Sequence, residues 1–227
     1  MVDSEGHRPV SARAGRTWSA RDGGWLLRWI VVVATAEAVG FIAPAIVGVQ
    51  ASDSPALIPL LLLAGAVEGA LLGCGQAVVL RMRLPRLRVR AWVLLTVIGA
   101  VAAYSVGMIP SALSPLWTTW GWPAQAALLA GVALVLLLSI GGAQWLELRR
   151  HLWRAGWWIA GTAAAWLVAL ALFLTIAMPL WHEGQDPGTA ILVGVVAGLV
   201  MATAMAAVTG VTIQVLLRGP RGYGEST

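Results

Sequence analysis

Long runs of apolar residues, separated by short polar stretches, occupy the chain from about residue 25 to residue 217. An α-helix needs about 18 to 20 apolar residues to cross about 30 Å of hydrocarbon, and it satisfies its own backbone hydrogen bonds in doing so. The runs predict six such helices, at residues 25–49, 56–80, 91–113, 123–148, 155–181 and 188–217. We therefore expect an all-α integral membrane domain of six transmembrane helices over residues 25–217.

The two ends of the chain are polar. Residues 1–24 hold four arginines among Ser, Gly and Pro and few apolar residues, which predicts a disordered basic tail. This stretch is too long for the n-region of a signal peptide, and the apolar run after it is too long for an h-region. Residues 218–227 form a second, shorter tail with two arginines.

The arginines indicate which helix ends share a side of the membrane. If the N-terminus is cytoplasmic, the stretches 81–90 and 149–154 and the C-terminal tail are cytoplasmic too, and all 15 arginines lie on that side. The outer loops would then hold Asp53, Glu183 and Asp186. Cytoplasmic loops of membrane proteins carry the excess of basic residues. We therefore predict that both termini are cytoplasmic.

Composition agrees with this class and excludes others. Apolar residues make up 59% of the chain and charged residues 11%, with a mean hydropathy of +0.82, far from the values of soluble domains. The net charge of +5 does not indicate nucleic-acid binding, because the arginines lie at the membrane edges rather than on one recognition element. The single cysteine excludes an internal disulfide. The lack of lysine and the heavy use of Ala, Gly, Val and Trp are typical of a GC-rich bacterial genome, so we expect a bacterial cytoplasmic (inner) membrane protein.

A short pattern ends three of the predicted helices, with small residues first, then a glutamine, and an arginine about one turn later. It occurs at Gly73–Arg81, at Gly141–Arg149 and, loosely, at Gly210–Arg218. The helices after the first two copies align as well, since Trp92-x-x-x-Thr96 matches Trp158-x-x-x-Thr162. We therefore predict a parallel duplicated helix hairpin, made of the second and third and of the fourth and fifth helices, with the sixth helix a partial third copy. Parallel repeats weaken the case for alternating access without excluding it.

At these positions the chain resembles a broad group of uncharacterised bacterial multi-pass membrane proteins, which carry repeated G-x-x-Q-W-x-x-L-R segments followed by a helix that starts with Trp. The resemblance covers the second to the sixth helix, and residues 141–158 are the most similar part. The first copy departs from the pattern, with Ala77 where the second has Trp145. The group has no assigned activity, so the resemblance implies a topology and no function.

Tryptophans gather near the predicted helix ends, where aromatic belts set the depth and tilt of membrane helices. The inner group is Trp25, Trp29, Trp92, Trp145, Trp153, Trp157 and Trp158, and the outer group is Trp117, Trp120, Trp122 and Trp181. We interpret both groups as belts. The alternative for the outer group is that the turn at 117–122 is a binding loop.

Small residues at four-residue spacing line several of the predicted helices and favour close helix–helix packing. Five polar side chains lie at a similar depth on these packed surfaces, counted inward from the cytoplasmic ends: Gln76, Thr96, Gln144, Thr162 and Gln214. We predict that they form an interlocking polar layer in the inner third of the membrane. One interpretation is structural, with hydrogen bonds between helices of about 0.6 kcal/mol each. The alternative is a constriction that lines a polar path.

Glu37 and Glu68 lie near the middle of the membrane on neighbouring helices. A carboxylate there costs about 2.5 kcal/mol or more, and no basic residue lies at that depth, so we expect at least one of the two to be protonated. Pro44 cannot donate a hydrogen bond to the Gly40 carbonyl and is expected to kink the helix close by. The pair is a candidate intramembrane proton or cation site. The alternative is a carboxylic acid that clamps two helices by hydrogen bonds.

The arginines of the cytoplasmic loops are candidate contacts for anionic lipid headgroups. They are Arg81, Arg83, Arg86, Arg88, Arg90, Arg149, Arg150 and Arg154. Glu147 lies within one helical turn of Arg150 and His151, which predicts a local ion pair at the membrane edge.

Motifs for catalysis are missing from the sequence, which has no Ser-His-Asp set, phosphate loop, nucleotide-binding glycine pattern or metal-ligand spacing. We therefore expect no enzymatic activity, cofactor or metal. Two hypotheses follow. The first is a non-catalytic assembly or regulatory component that contacts anionic lipid and a membrane protein partner or a second copy of itself. The alternative is a small proton- or cation-coupled transporter or channel that uses Glu37 and Glu68.

Overall fold

The computed structural model describes residues 20–51, 54–182 and 184–219, and every regular element in these residues is a helix. The helices are α1 (Ala20–Gln50), α2 (Leu57–Leu80), α3 (Val89–Gly107), α4 (Ile109–Ala112), α5 (Ser114–Trp117), α6 (Trp122–Leu148), α7 (Gly156–Leu180) and α8 (Pro187–Arg218). Six spans, formed by α1, α2, α3 with α4, α6, α7 and α8, are long and apolar enough to cross a membrane. The prediction of an all-α chain with six such helices is therefore confirmed.

The third span is the least regular of the six. α3 ends at Gly107, and two helices of four residues each, α4 and α5, follow it with a proline in their first turns. Proline lacks the N–H group that would continue the helical ladder, but it fits the first turn of a new helix. The helix predicted at 91–113 is therefore divided after Gly107.

α1 begins at Ala20, so the predicted disordered tail at 1–24 is wrong for its last residues, which are helical. The first turn is held by other parts of the chain. The Asp22 carboxylate accepts hydrogen bonds from Arg83 and Arg218, each at 3.2 Å, and the Asp22 carbonyl accepts one from Gln214 at 3.0 Å. These contacts fix residues that composition alone would leave in a flexible tail.

Other predictions fall outside the described residues. They concern the tail residues 1–19 and 220–227 and the outer-loop acids Asp53 and Glu183. Asp186, the remaining outer-loop acid, caps α8, since its carboxylate accepts a hydrogen bond from the Thr189 N–H at 3.0 Å. Its position is therefore explained by helix capping.

The six long helices close into a ring, in which each packs against two neighbours in the order α1, α2, α3, α6, α7, α8, and α8 returns to α1. Three ion pairs lie at one end of the ring. Asp22 pairs with Arg83 and Arg218, and Arg88 pairs with Glu147. They bring together the start of α1, the loop before α3, the end of α6 and the end of α8. The arginines whose side chains are described lie at this end, which we call the arginine end: Arg28, Arg81, Arg83, Arg86, Arg88, Arg90, Arg149, Arg150, Arg154 and Arg218.

Glycines set the distance between paired helices at corresponding places in the sequence pattern. Gly73 lies against Val93 and Thr96, Gly141 against Ile159 and Thr162, and Gly210 against Leu26 and Trp29. In each case the glycine meets the residues one and four positions after a tryptophan, which are Trp92, Trp158 and Trp25 in turn. A side chain larger than hydrogen at these glycines would push the two helices apart.

Large side chains fill the interior of the ring. At the arginine end, the completely buried Trp29, Trp92 and Trp158 come from α1, α3 and α7, which are not neighbours in the ring. Their ring centroids lie 6.4 Å apart for Trp29 and Trp158 and 6.1 Å apart for Trp92 and Trp158. Phe41 and Phe173 meet in the same way, at 6.1 Å, across α1 and α7. The ring therefore encloses packed side chains both at the arginine end and at the level of Phe41 and Phe173.

The predicted inner aromatic belt is wrong for four of its members, Trp25, Trp29, Trp92 and Trp158, which are buried. A closed ring of helices offers apolar volume at its centre, and the indole is the largest side chain that can occupy it. Trp153 and Trp157, by contrast, are 75% and 60% exposed at the edge of the bundle. Trp122 and Trp181, of the outer group, are exposed as well.

Candidate functional site

The two acids of the spans meet where α1 packs against α2. Glu37 on α1 is completely buried, and Glu68 on α2 is 7% exposed. Gly40, one turn after Glu37, allows the close approach, because a Cβ atom there would lie only 3.1 Å from the Glu68 Cα. Both side chains are thus buried in the same interface between α1 and α2. The structure therefore brings the predicted pair together.

Tyr104 is a third member of this cluster, and sequence reasoning missed it. Its hydroxyl group on α3 donates a hydrogen bond of 2.5 Å to Glu68 Oε2. Gly65, one turn before Glu68, makes room for the phenol ring, which would overlap with a side chain at that position. The available signal was that Tyr104 is the one tyrosine within a predicted span. A phenol at this depth supplies the polar partner that no basic residue provides.

Glu37 differs from Glu68 in its hydrogen bonding. Among the described residues, no N–H or O–H group donates to either of its carboxyl oxygens. The proton that a hydrogen bond between Glu37 and Glu68 requires must therefore sit on one of the two carboxyl groups. Pro44 lies inside α1, which continues as one helix to Gln50, and its ring cannot donate to the Gly40 carbonyl.

Gln144 is the centre of the predicted polar layer. Its amide nitrogen donates to Gln76 Oε1 at 2.7 Å and to Thr96 Oγ1 at 2.9 Å, and its amide oxygen accepts from the Trp158 indole at 2.9 Å. These bonds join α2, α3, α6 and α7 and are all buried. Trp158 was assigned to an aromatic belt from the sequence, and its indole instead completes this network.

Two predicted members of the layer do not join this network. The Thr162 hydroxyl is buried without a partner among the described residues. The Gln214 amide nitrogen donates to the Asp22 carbonyl at the start of α1. Gln214 lies four residues after Gly210, whereas Gln76 lies three residues after Gly73, and one extra residue rotates a helical side chain by about 100°. The loose fit of the third copy thus changes the helix that its glutamine faces.

Glu147 forms the predicted local pairs with His151 and Arg150, and it forms a further, shorter ion pair with Arg88. Its carboxylate is completely buried and accepts hydrogen bonds from Arg88 Nε at 3.0 Å, Nη2 at 2.7 Å and the backbone N–H at 3.1 Å. His151 lies at 3.1 Å and Arg150 only at 3.9 Å. The hydrogen bonds from Arg88 to Glu147 raise the pKa of the guanidinium, so it stays charged. The main partner is therefore 59 residues away in sequence and fixes the start of α3 to the end of α6.

The other candidate lipid contacts divide into engaged and available arginines. Arg83 pairs with Asp22, Arg149 lies over the Trp145 ring at 4.7 Å, and Arg154 lies over the Trp157 ring at 5.8 Å. Arg81, Arg86 and Arg90 are exposed and form no ion pair within the described part of the chain. Arg81, Arg88 and Arg90 line a shallow surface hollow together with Leu87, Val89 and Ala91. This hollow therefore combines basic and apolar side chains.

A metal site requires several side chains that converge on one point. In the ranges that the structure describes, no three or more His, Cys, Asp or Glu residues are placed in that way.

Comparison with known proteins gives no match to a protein family, to a curated protein or to a solved structure. The chain is thus defined by its architecture, an all-α ring of six helices that are long and apolar enough to cross a membrane.

Proposed function

We propose that this chain is a non-catalytic, multi-pass protein of a bacterial cytoplasmic membrane that acts as an assembly or regulatory component through its arginine end. The observation that carries the proposal is the hollow lined by Arg81, Arg88 and Arg90. Arg88 is held in place by the buried Glu147, so the hollow contains one cation in a fixed position. Basic side chains next to apolar ones suit an anionic phospholipid, whose headgroup is negative and whose chains are apolar.

The orientation in the membrane follows from the same end. The start of α1, the end of α8 and the two arginine-rich loops lie together at the arginine end. In membrane proteins, the loops with an excess of basic residues are cytoplasmic. The proposed topology therefore has cytoplasmic N- and C-termini. The exposed Trp122 and Trp181 at the other end agree with an outer interface.

The proposed duplication gains support from the glycine contacts. The first two copies of the pattern make the same contact within their hairpins, from Gly73 to Thr96 and from Gly141 to Thr162. The third copy, on α8, makes the corresponding contact with α1, where Gly210 meets Trp29. We infer that α8 and α1 together form the third hairpin, so that the first helix of the chain completes the unit that the last helix begins.

Native mass spectrometry of the purified protein with phosphatidylglycerol tests the proposed function. Replacing both Arg81 and Arg90 by Gln should lower phosphatidylglycerol binding about tenfold or more, since an arginine near an anionic surface contributes about 1 kcal/mol. The matched control replaces Arg149 and Arg154 by Gln, which removes the same charge from arginines that lie over Trp rings. An equal loss of phosphatidylglycerol binding in the two double variants would contradict a specific headgroup site. So would a wild-type protein that retains phosphatidylcholine as well as it retains phosphatidylglycerol. A membrane protein partner or a second copy would bind at the same end.

A second candidate function is supported by Glu37, whose buried carboxyl oxygens accept no hydrogen bond from the described residues. Buried ionisable groups within a membrane span often handle protons or cations. The alternative is therefore a small proton- or cation-coupled transporter or channel that uses Glu37 and Glu68. Liposomes that contain the protein should show pH-dependent proton or cation flux, which Glu37→Gln and Glu68→Gln should abolish. Equal flux in all three proteins, or none in any, would leave the first function alone.

A further inference from the structure

We propose that Glu37, Glu68 and Tyr104 form a binding site for a single proton, which Glu37 carries and donates to the Glu68 carboxylate. This inference deepens the second candidate function by naming its ligand. When the proton binds, one O–H bond forms on Glu37 and the charge of the pair changes from −2 to −1. Tyr104 keeps its own proton and stabilises the remaining charge on Glu68 through its hydroxyl group.

The assignment of the proton follows from the donors around each carboxyl group. Glu68 already accepts a hydrogen bond from Tyr104, which favours its ionised form. Glu37 is completely buried and receives no such bond from the described residues, so its ionised form has nothing to stabilise it. With the proton on Glu37, the Glu37 hydroxyl donates and Glu68 accepts two hydrogen bonds. The opposite placement would leave the negative charge on Glu37 with one donor in an apolar interior.

The groups that face the pair do not offer a counter-charge. α1 meets α8 at Trp29 with Thr209 and at Phe41 with Gly198, so Glu37 lies level with the buried Met201 and Met205 between them. From residue 188 to residue 217, α8 has no titratable side chain. On α2 the titratable residues are Glu68 and the exposed Cys74 near the arginine end, and on α3 they are Arg90, at its start, and Tyr104. In the described parts of α1, α2, α3 and α8, the basic residues lie towards the arginine end, and none is level with the pair.

Helix packing does not require acids at these positions. The residues at an equal distance after Trp25, Trp92 and Trp158 in the repeated pattern are Glu37, Tyr104 and Leu170. The residues at an equal distance before Gly73, Gly141 and Gly210 are Glu68, Leu136 and Met205. The contact that Gly40 makes with Glu68 is repeated between Gly107 and Leu136, where the partner is apolar. The unit of α6 and α7 thus packs with leucine at both places, and the acids add chemistry that the fold does not need.

The ligand set fits a proton better than a metal ion. Hard divalent cations take about six or more oxygen ligands. The cluster offers two carboxyl groups and one phenol, and the phenol already donates to Glu68. A proton needs only one donor and one acceptor oxygen. We therefore expect calcium and magnesium to leave the site unchanged.

Infrared spectroscopy of the full chain in lipid tests the proposal, since a protonated carboxyl group has its own C=O band. At neutral pH the wild type should show this band, Glu37→Gln should lose it, and the matched Glu147→Gln should keep it, because Glu147 is an ionised partner of Arg88. Tyr104→Phe should shift the band, because Glu68 loses a donor. A band that is missing from the wild type, or that survives in Glu37→Gln, would overturn the proposal, as would a band that disappears in sodium but not in choline.

A hydrophobic carbodiimide locates the proton independently of the variants. The reagent takes the proton of a neutral carboxyl group on its nitrogen, and the carboxylate adds to its central carbon, which leaves a covalent adduct. Mass spectrometry of the labelled wild type should find at least tenfold more adduct on Glu37 than on Glu68 or Glu147. Adduct mainly on Glu68 would contradict the assignment. If the wild type shows the infrared band but no flux in liposomes, the proton site stands and the transport function is rejected. If it shows Glu37-dependent flux but no band, transport stands and the proton is rejected as the ligand.

Discussion

Gln144 illustrates how one side chain can specify the arrangement of several helices. Lipid offers no hydrophobic driving force between helices, so packing and interhelical hydrogen bonds decide which faces meet. Gln144 uses both its nitrogen and its oxygen and satisfies groups on three other helices. Glu147, one turn further on, does the same for the start of α3 through Arg88. Both residues lie on the face of α6 that points into the ring.

Replacing Gln144 by Leu should destabilise the fold by about 1 to 2 kcal/mol, because interhelical hydrogen bonds in membranes average about 0.6 kcal/mol each and Trp158 and Gln76 would lose their partner. The matched variant Gln214→Leu removes a single bond to a backbone carbonyl and should cost less than half as much. Reversible unfolding in mixed detergent measures both. A larger loss for Gln214→Leu would show that the network around Gln144 does not hold the bundle together.

At the scale of helices, glycine contacts decide how near two elements come. Gly99 on α3 lies against the backbone of α6, where an added Cβ atom would be 2.7 Å from the Ile140 Cα. Gly131, on the half of α6 away from the arginine end, has nothing within 4 Å of that position. The two glycines occupy similar helices but face different surroundings. Only the first is required by packing.

Gly99→Ala should therefore cost about 1 to 3 kcal/mol, since overpacking forces backbone to move. Gly131→Ala should be neutral or slightly stabilising, because alanine is the better helix former by about 0.5 to 1 kcal/mol. The same unfolding assay compares the two substitutions. Equal effects would mean that α3 and α6 are not in the close contact described above.

For the whole molecule, the closing contact of the ring is between its first and last helices. Asp22 near the start of α1 pairs with Arg218 at the end of α8, 196 residues away. Gly210 and Thr209 on α8 meet Trp29 on α1. Contacts over such a sequence distance make the integrity of the bundle depend on both its first and its last helix. They also explain why the first turn of α1 is ordered.

Asp22→Cys and Arg218→Cys, combined in a Cys74→Ser background, should be joined within one molecule by a short bifunctional thiol reagent. The cross-link closes most of the chain into one loop. The product should therefore migrate differently from the uncross-linked chain on a denaturing gel, and no dimer should form. Each single cysteine variant is the control and should give no such product. Cross-linking only between molecules would mean that α1 and α8 meet in a dimer instead.

The orientation of the ring gives a further prediction for the whole molecule. In the same cysteine-free background, Arg86→Cys and Trp153→Cys should react with an impermeant thiol reagent from one side of the membrane only. Trp120→Cys, at the opposite end of the ring, should react from the other side. Labelling of the positions 86 and 153 from different sides would remove the basis of the proposed topology.

The sequence by itself determined the number of spans, their approximate limits and the single-sided distribution of arginine. These follow from the length of apolar runs and from the position of charge along the chain, which are local properties. It also put Glu37 near Glu68 and Gln76 near Gln144, because residues at similar depth on small-residue faces of packed helices tend to meet. Those inferences needed only the helical rise and the spacing of glycines.

The tertiary structure decided which way each helix is turned and which distant helix it faces. It joined Tyr104 to Glu68, Arg88 to Glu147 and Trp29 to Thr209, at separations of 36, 59 and 180 residues. A tryptophan at a helix end looks the same in sequence whether it faces lipid or the centre of a ring. The contact of α8 with α1 closes the ring and creates an interior. Tryptophans on the inward faces of the helices are buried there, and those on the outward faces stay exposed.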